Sequence, residues 1–234
     1  MKFLLLTLVA LAPFTTFSAV ENESELGIIL SKGNSDSESV TLKQTTSYKW
    51  EEVNAFKMFG RALQTKTKNV ENARYWTLGA RYDRNLSQDF GWYFGVVSEG
   101  DKYAGYDQRY NSDLGAKYII FKNEMNDINL ELGYRYTLEN PMVGENKKSH
   151  YTRAYTEASQ KWTEGVSTKL WLEYLPNLTT GSDYQINTEA SISASLNNVF
   201  AIKTSYLLRY DHLPSVGATT KTDSLLTTSL VAKF

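Results

Sequence analysis

Two histidines, His150 and His212, are the side chains best suited to acid–base work or metal binding in this chain. Each falls in or beside a different predicted loop, so they read as surface residues rather than as a pair of ligands. Ser149 precedes His150, but neighbours along an extended segment point to opposite faces, a poor arrangement for activating a nucleophile. There is no Gly-Xaa-Ser-Xaa-Gly elbow, phosphate-cradling glycine loop or His-Glu-Xaa-Xaa-His pattern. The absence of cysteine excludes disulfides and thiolate metal sites. A net charge of -1 gives no basic surface for nucleic acid, and no cofactor is implied. What remains is a set of charged residues in the middle of extended segments: Lys57, Arg61, Arg81, Asp83, Lys117, Glu131, Arg135, Glu139, Arg153, Glu157, Lys161, Lys169, Glu173, Glu189 and Arg209. Carboxylates recur among them, yet cations recur beside them, so ion pairing accounts for them more simply than glycosidase chemistry. Charges of both signs on one face are expected where side chains look at one another across an enclosed lumen.

The elements that carry these charges repeat with a period of two. Ile128, Leu130, Leu132, Tyr134, Tyr136 and Leu138 alternate with Asn129, Glu131, Gly133, Arg135, Thr137 and Glu139. A helix would scatter both sets around its circumference, whereas a strand gives each its own face. Similar alternation predicts twelve strands near residues 25–32, 37–50, 55–67, 73–85, 90–101, 109–121, 127–139, 150–162, 165–176, 184–196, 198–211 and 222–234. Sixteen Tyr, ten Phe and five Trp suit strands. The connections fall into two alternating sets. Those at 51–54, 86–89, 122–126, 163–164 and 197 are short. Those at 33–36, 68–72, 102–108, 140–149, 177–183 and 212–221 are mostly longer and hold Pro141 and Pro214. Short turns at one end and longer loops at the other, with both termini on the short-turn side, are the layout of outer-membrane barrels.

Residues 1–19 differ from the rest. Met1-Lys2 precedes an apolar run and then small residues, the pattern of a secretory signal peptide; a lipid-facing N-terminal anchor is the alternative. Residues 20–234 form one predicted barrel domain. The last strand closes on Phe234, preceded at alternate positions by Ala232, Leu230, Thr228 and Leu226. This resembles the assembly signal of outer-membrane proteins and implies the barrel-assembly machinery as a partner.

Alternation does not say which face is inside. A soluble carrier would turn its apolar faces inward around a ligand, a membrane barrel outward to lipid. Strands of about twelve residues, tilted at about 40°, span roughly 30 Å, the thickness of a bilayer core. Tyr48, Trp50, Trp76, Tyr82, Trp92, Tyr134, Tyr136, Trp162, Tyr174, Tyr206 and Tyr210 lie toward strand ends, where interfacial girdles need amphipathic rings. The reading is an all-β fold: a closed antiparallel transmembrane β-barrel of about twelve strands, in contact with outer-membrane lipids. For the hairpin across 140–149, an alignment that sets Glu139 opposite Arg153, Arg135 opposite Glu157 and Glu131 opposite Lys161 pairs opposite charges three times.

Four short segments carry a family resemblance: Gly33-Asn34-Ser35-Asp36, Gly105-Tyr106-Asp107 followed by Arg109, Leu208-Arg209-Tyr210-Asp211, and Lys221-Thr222-Asp223-Ser224 leading to Phe234. In this order they resemble a bacterial outer-membrane family of unknown function whose members are labelled salt-induced. The resemblance spans roughly residues 25–234. It implies an outer-membrane barrel and brings no activity, so no catalytic residues carry over. The expected function is that of a non-enzymatic barrel, either a narrow passive pore or an envelope-stress component. An outer-membrane lipid-acting enzyme using a histidine, and a soluble periplasmic lipid carrier, are the alternatives. The sequence names no soluble ligand.

Overall fold

The computed structural model describes residues 20–31, 37–218 and 220–234. The predicted signal peptide and the Gly33-Asn34 turn lie outside the described residues. Alternating residues along the chain form twelve strands: β1 (Val20–Ser31), β2 (Ser37–Trp50), β3 (Asn54–Thr67), β4 (Val70–Asn85), β5 (Phe90–Asp101), β6 (Tyr106–Lys122), β7 (Asn126–Pro141), β8 (Lys147–Lys161), β9 (Val166–Pro176), β10 (Tyr184–Ser195), β11 (Phe200–Asp211) and β12 (Thr222–Lys233). Each pairs antiparallel with its neighbour in sequence, and β1 pairs with β12, closing the sheet into a barrel. Closure removes the unpaired edges that an open sheet would leave.

Several strands run further into the longer loops than the alternation indicated. Lys68 and Asn69, both at positive φ, make the tight turn between β3 and β4, so the strand begins at Val70 rather than near 73. This is the backbone shape two-residue hairpin turns require. β6 begins at Tyr106 because the turn before it is completed by Gly105 at φ +86°.

The apolar set faces outward. Leu42, Leu78, Leu114, Leu132, Leu170, Ile192 and Leu230 are all exposed on the barrel exterior. The inverse arrangement expected of a soluble carrier is therefore not the one found. Aromatic rings gather at both ends of this apolar band. Tyr48, Trp50, Tyr82 and Trp92 form a chain of ring contacts, 5.4–5.8 Å between centroids, at the short-turn end. Toward the loop end Tyr136 meets His150, and Tyr174, Tyr184, Tyr210 and His212 form a second run. Aliphatic side chains between two aromatic girdles match the layering of a bilayer.

The β7–β8 hairpin corrects the predicted register. Glu131 stands opposite Tyr155, Arg135 opposite Tyr151, and Glu139 opposite Lys147. The turn occupies only 142–146, which slides β8 by six residues relative to the charge-pairing alignment. Arg153 therefore faces Gly133 in register, not Glu139; Glu157 faces Asn129; and Lys161 lies past the last β7 partner.

Candidate functional site

The inward faces of the strands enclose a cavity of about 860 Å³. Its wall runs from Glu52, Val53, Asn85 and Lys122 at the short-turn rim to Tyr106, Arg109 and Arg209 near the loop end. Of the charged residues singled out in the sequence, Lys57, Arg61, Arg81, Asp83, Lys117, Glu131, Arg135, Arg153, Glu157, Glu173 and Arg209 line it. Glu139 and Glu189 are buried beside it. Lys169 stands 2.8 Å from Glu157. Lys161 is exposed at the end of β8 and does not line the cavity.

Seven of these inward charges, or neighbours on the same faces, form a chain that alternates in sign across the lumen. Arg81 donates to both oxygens of Asp83 at 2.9 and 2.6 Å, and to both oxygens of Glu131 at 3.0 and 2.6 Å. Arg153 donates to Glu131 at 2.7 Å and to Glu173 at 2.6 Å. Arg135 links Glu173 at 3.1 Å to Asp113, which it grips at 2.6 and 2.8 Å. Asn187 supplies a further donor to Glu173 at 2.9 Å. Planar guanidinium groups make such two-pronged contacts readily. The strands joined are not neighbours: β4 reaches β7, and β7 reaches β9. The chain therefore braces the barrel from within.

Tyr93 sits at the centre of this brace. Its ring lies 4.1 Å below the Arg81 guanidinium, and its hydroxyl accepts from Arg153 at 2.8 Å. Space for it comes from Gly115 and Gly133, which face one another in register on β6 and β7. A Cβ on either would stand 2.6 Å from the Tyr93 hydroxyl.

Opposite this brace, Glu25 accepts from Lys203 at 2.9 Å and meets Lys43 at 3.0 Å. Toward the loops, Arg109 donates to Glu139 at 2.9 and 2.6 Å and lies 3.9 Å over the Tyr106 ring. Ser215, in the long connection between β11 and β12, is buried and donates to Glu139. The same connection rests on Gly105, where a Cβ would meet Ala218, Ser215 and Val216 backbone atoms at 3.0–3.1 Å. Arg209 contacts Asp101 at 3.3 Å and stacks 4.2 Å over Tyr75. The lumen is thus filled toward the loops and hollow toward the short turns.

Of the family-like turn residues, Gly105 and Tyr106 are buried in this cap, while Asp107 and Asp223 are exposed near the starts of β6 and β12. The two histidines do not approach one another. His150 bonds the Tyr134 hydroxyl on the barrel exterior, and His212 lies 3.0 Å from the Tyr210 hydroxyl. Among the described residues no cluster of His, Asp and Glu could hold a metal ion. Sequence reasoning missed Tyr93, Glu99, Asp113 and Glu25 as lumen residues. The three carboxylates had the right alternation to be found; Tyr93 did not stand out, because a tyrosine in a strand reads as part of a greasy face.

Residues 24–234 match the family described as a protein of unknown function, DUF481. The chain belongs to that family. By sequence this chain is similar to the Escherichia coli K12 protein YdiY, described as uncharacterized, with 24% identity over 225 residues that cover 93% of this chain and 84% of YdiY. Two solved barrels share the fold of this DUF481 chain. The COG4313 outer membrane channel from Pseudomonas putida F1 matches with a TM-score of 0.56 and 12% identity, over 92% of this chain and 95% of the channel. The NanC porin matches with a TM-score of 0.51 and 8% identity, over 92% of this chain and 98% of the porin.

Proposed function

We propose that this DUF481 protein is an integral outer-membrane barrel that forms a narrow conduit for small polar solutes. The observation that carries this reading is the hollow, ion-lined vestibule of about 860 Å³, open to the short-turn rim and closed near the loops by side chains rather than by continuous wall. That volume falls within the range of small-molecule sites, about 300–1,000 Å³. Barrels of about eight strands are filled by their side chains, and those of about sixteen leave a wide channel. Twelve strands with a partial filling lie between, so transport requires the Arg109–Glu139–Ser215 cap to give way. The outward apolar band and its two girdles support residence in a bilayer.

Planar-bilayer recording from purified protein tests the reading. Small, discrete conductance steps are expected; a protein that folds, shows heat-modifiable mobility and yields no steps above background overturns it.

A further inference from the structure

The charges that line the vestibule are not balanced. The whole chain carries 25 Lys and Arg against 26 Asp and Glu. The cavity wall carries eleven Lys and Arg against eight Asp and Glu. Six more ionic side chains packed behind it, Glu25, Asp101, Glu139, Glu189, Lys169 and Lys203, leave a surplus of one positive charge. Asp183 and Asp211 belong to the loop end, beyond the cavity wall. The surplus is therefore a property of the vestibule.

Its source is β3. Lys57 stands directly opposite Arg81, and Arg61 directly opposite Lys43, on the lumen face. Like charges placed opposite one another in a sheet are unfavourable. Arg81 and Lys43 are relieved by carboxylates at 2.6 and 3.0 Å. The β3 partners are not. Lys57 makes no ion pair within 4.0 Å among the described residues. The nearest carboxylate to Arg61 is Glu189 at 4.0 Å, and its buried Nε finds no acceptor among the described residues. Two cations on one wall of a confined polar space, each short of a counter-charge, invite anions from solution.

We propose that the vestibule recruits small anions, with Lys57 and Arg61 as the residues that determine this preference. The proposal rests on the conduit reading for its transport meaning, and names anionic solutes as the class admitted. The low-dielectric wall concentrates the field of these cations in the cavity and raises the local anion concentration. Asp83, Glu157 and Glu173 do not cancel the attraction, because each is already held by Arg81, Lys169, or Arg135 and Arg153.

A fluorescence measurement tests the anion preference without requiring conduction. Trp171 lines the vestibule and stacks on Tyr155 at 6.0 Å. In folded protein with Trp50, Trp76, Trp92 and Trp162 replaced by Phe, iodide should quench Trp171 more strongly than caesium at equal ionic strength. The expected margin is about tenfold, the lower end of electrostatic focusing in a charged cleft. Lys57→Gln together with Arg61→Gln should remove most of that margin while heat-modifiable mobility is retained. Equal quenching by the two ions, or a margin unchanged in the double variant, overturns the proposal. In planar bilayers under a salt gradient, the reversal potential should take the sign of anion selectivity. Steps that favour cations would refute the anion preference and leave the conduit standing; absent steps with intact iodide preference would refute the conduit alone.

Discussion

Arg153 meets Glu131, Glu173 and Tyr93 at once, and its side chain is 7% exposed. A buried pair of this kind is not in itself a source of stability, because desolvation opposes the attraction. Breaking one is costly, since the carboxylates stay behind with fewer donors. Arg153→Met should therefore lower the unfolding free energy by about 3 kcal/mol, the lower end for a broken buried pair, because Arg81 and Arg135 still hold the two glutamates. The Lys49–Glu21 pair gives the contrast: at 2.8 Å its geometry is as good, but its side chains are 60% and 70% exposed. Lys49→Gln should cost less than about 1 kcal/mol. Urea titration of protein folded into lipid vesicles measures both. Equal losses would mean that the brace is as solvated as the rim.

The strand pairs of the barrel are unequal in length. β1 and β12 share five register positions, from Glu23↔Lys233 to Gly27↔Ser229, whereas β2 and β3 are matched over their whole lengths. Toward the loops, Ile28, Ile29 and Leu30 have no β12 partner among the described residues, though β2 holds their other edge. A strand bonded on one side opens at lower free energy than one bonded on both. Amide hydrogen exchange should accordingly be faster at 28–30 and 222–226 than in the middle of β6 and β7. Uniform protection around the ring would contradict the seam. Element by element, the alternation of side chains made strand number and face legible in the sequence; the order of short and long connections held only in part, because 68–69 and 102–105, on the expected long-loop side, are no longer than the short turns. The alternation left relative height undetermined. Which residue of β7 faces which residue of β8 depends on where the 142–146 turn closes; charge matching set Arg153 opposite Glu139, whereas Arg153 stands opposite Gly133 and reaches Glu131 diagonally. The contacts of Arg81 with Glu131 and of Arg135 with Glu173 link strands that are not neighbours. Only closure of the barrel brings those together, so no local pattern announces them. The Gly105-Tyr106 segment shows the same limit: it read as a turn, and its tyrosine turned out to be buried in the cap, 2% exposed.

At the scale of the whole molecule, everything depends on which solvent each face meets. Leu132, midway along β7, is 55% exposed on the outer wall, and Asn129, on the opposite face of the same strand, lines the vestibule. The same change at these two positions separates the two environments. Leu132→Lys places an ammonium in the hydrocarbon midplane, where outer-membrane barrels lose about 2–4 kcal/mol. Asn129→Lys places it in the polar lumen, opposite Glu157 in register; its cost should stay under about 1 kcal/mol, because a partly solvated opposite charge is within reach. Folding into vesicles and urea titration give both values under one condition. A difference of the expected sign requires hydrocarbon outside and water inside. Equal tolerance would mean that the outer wall meets water as well, and the bilayer, the girdles and the conduit would then need another explanation. The vestibule's surplus of cations would survive that result, because it follows from which side chains turn inward and not from what surrounds the barrel.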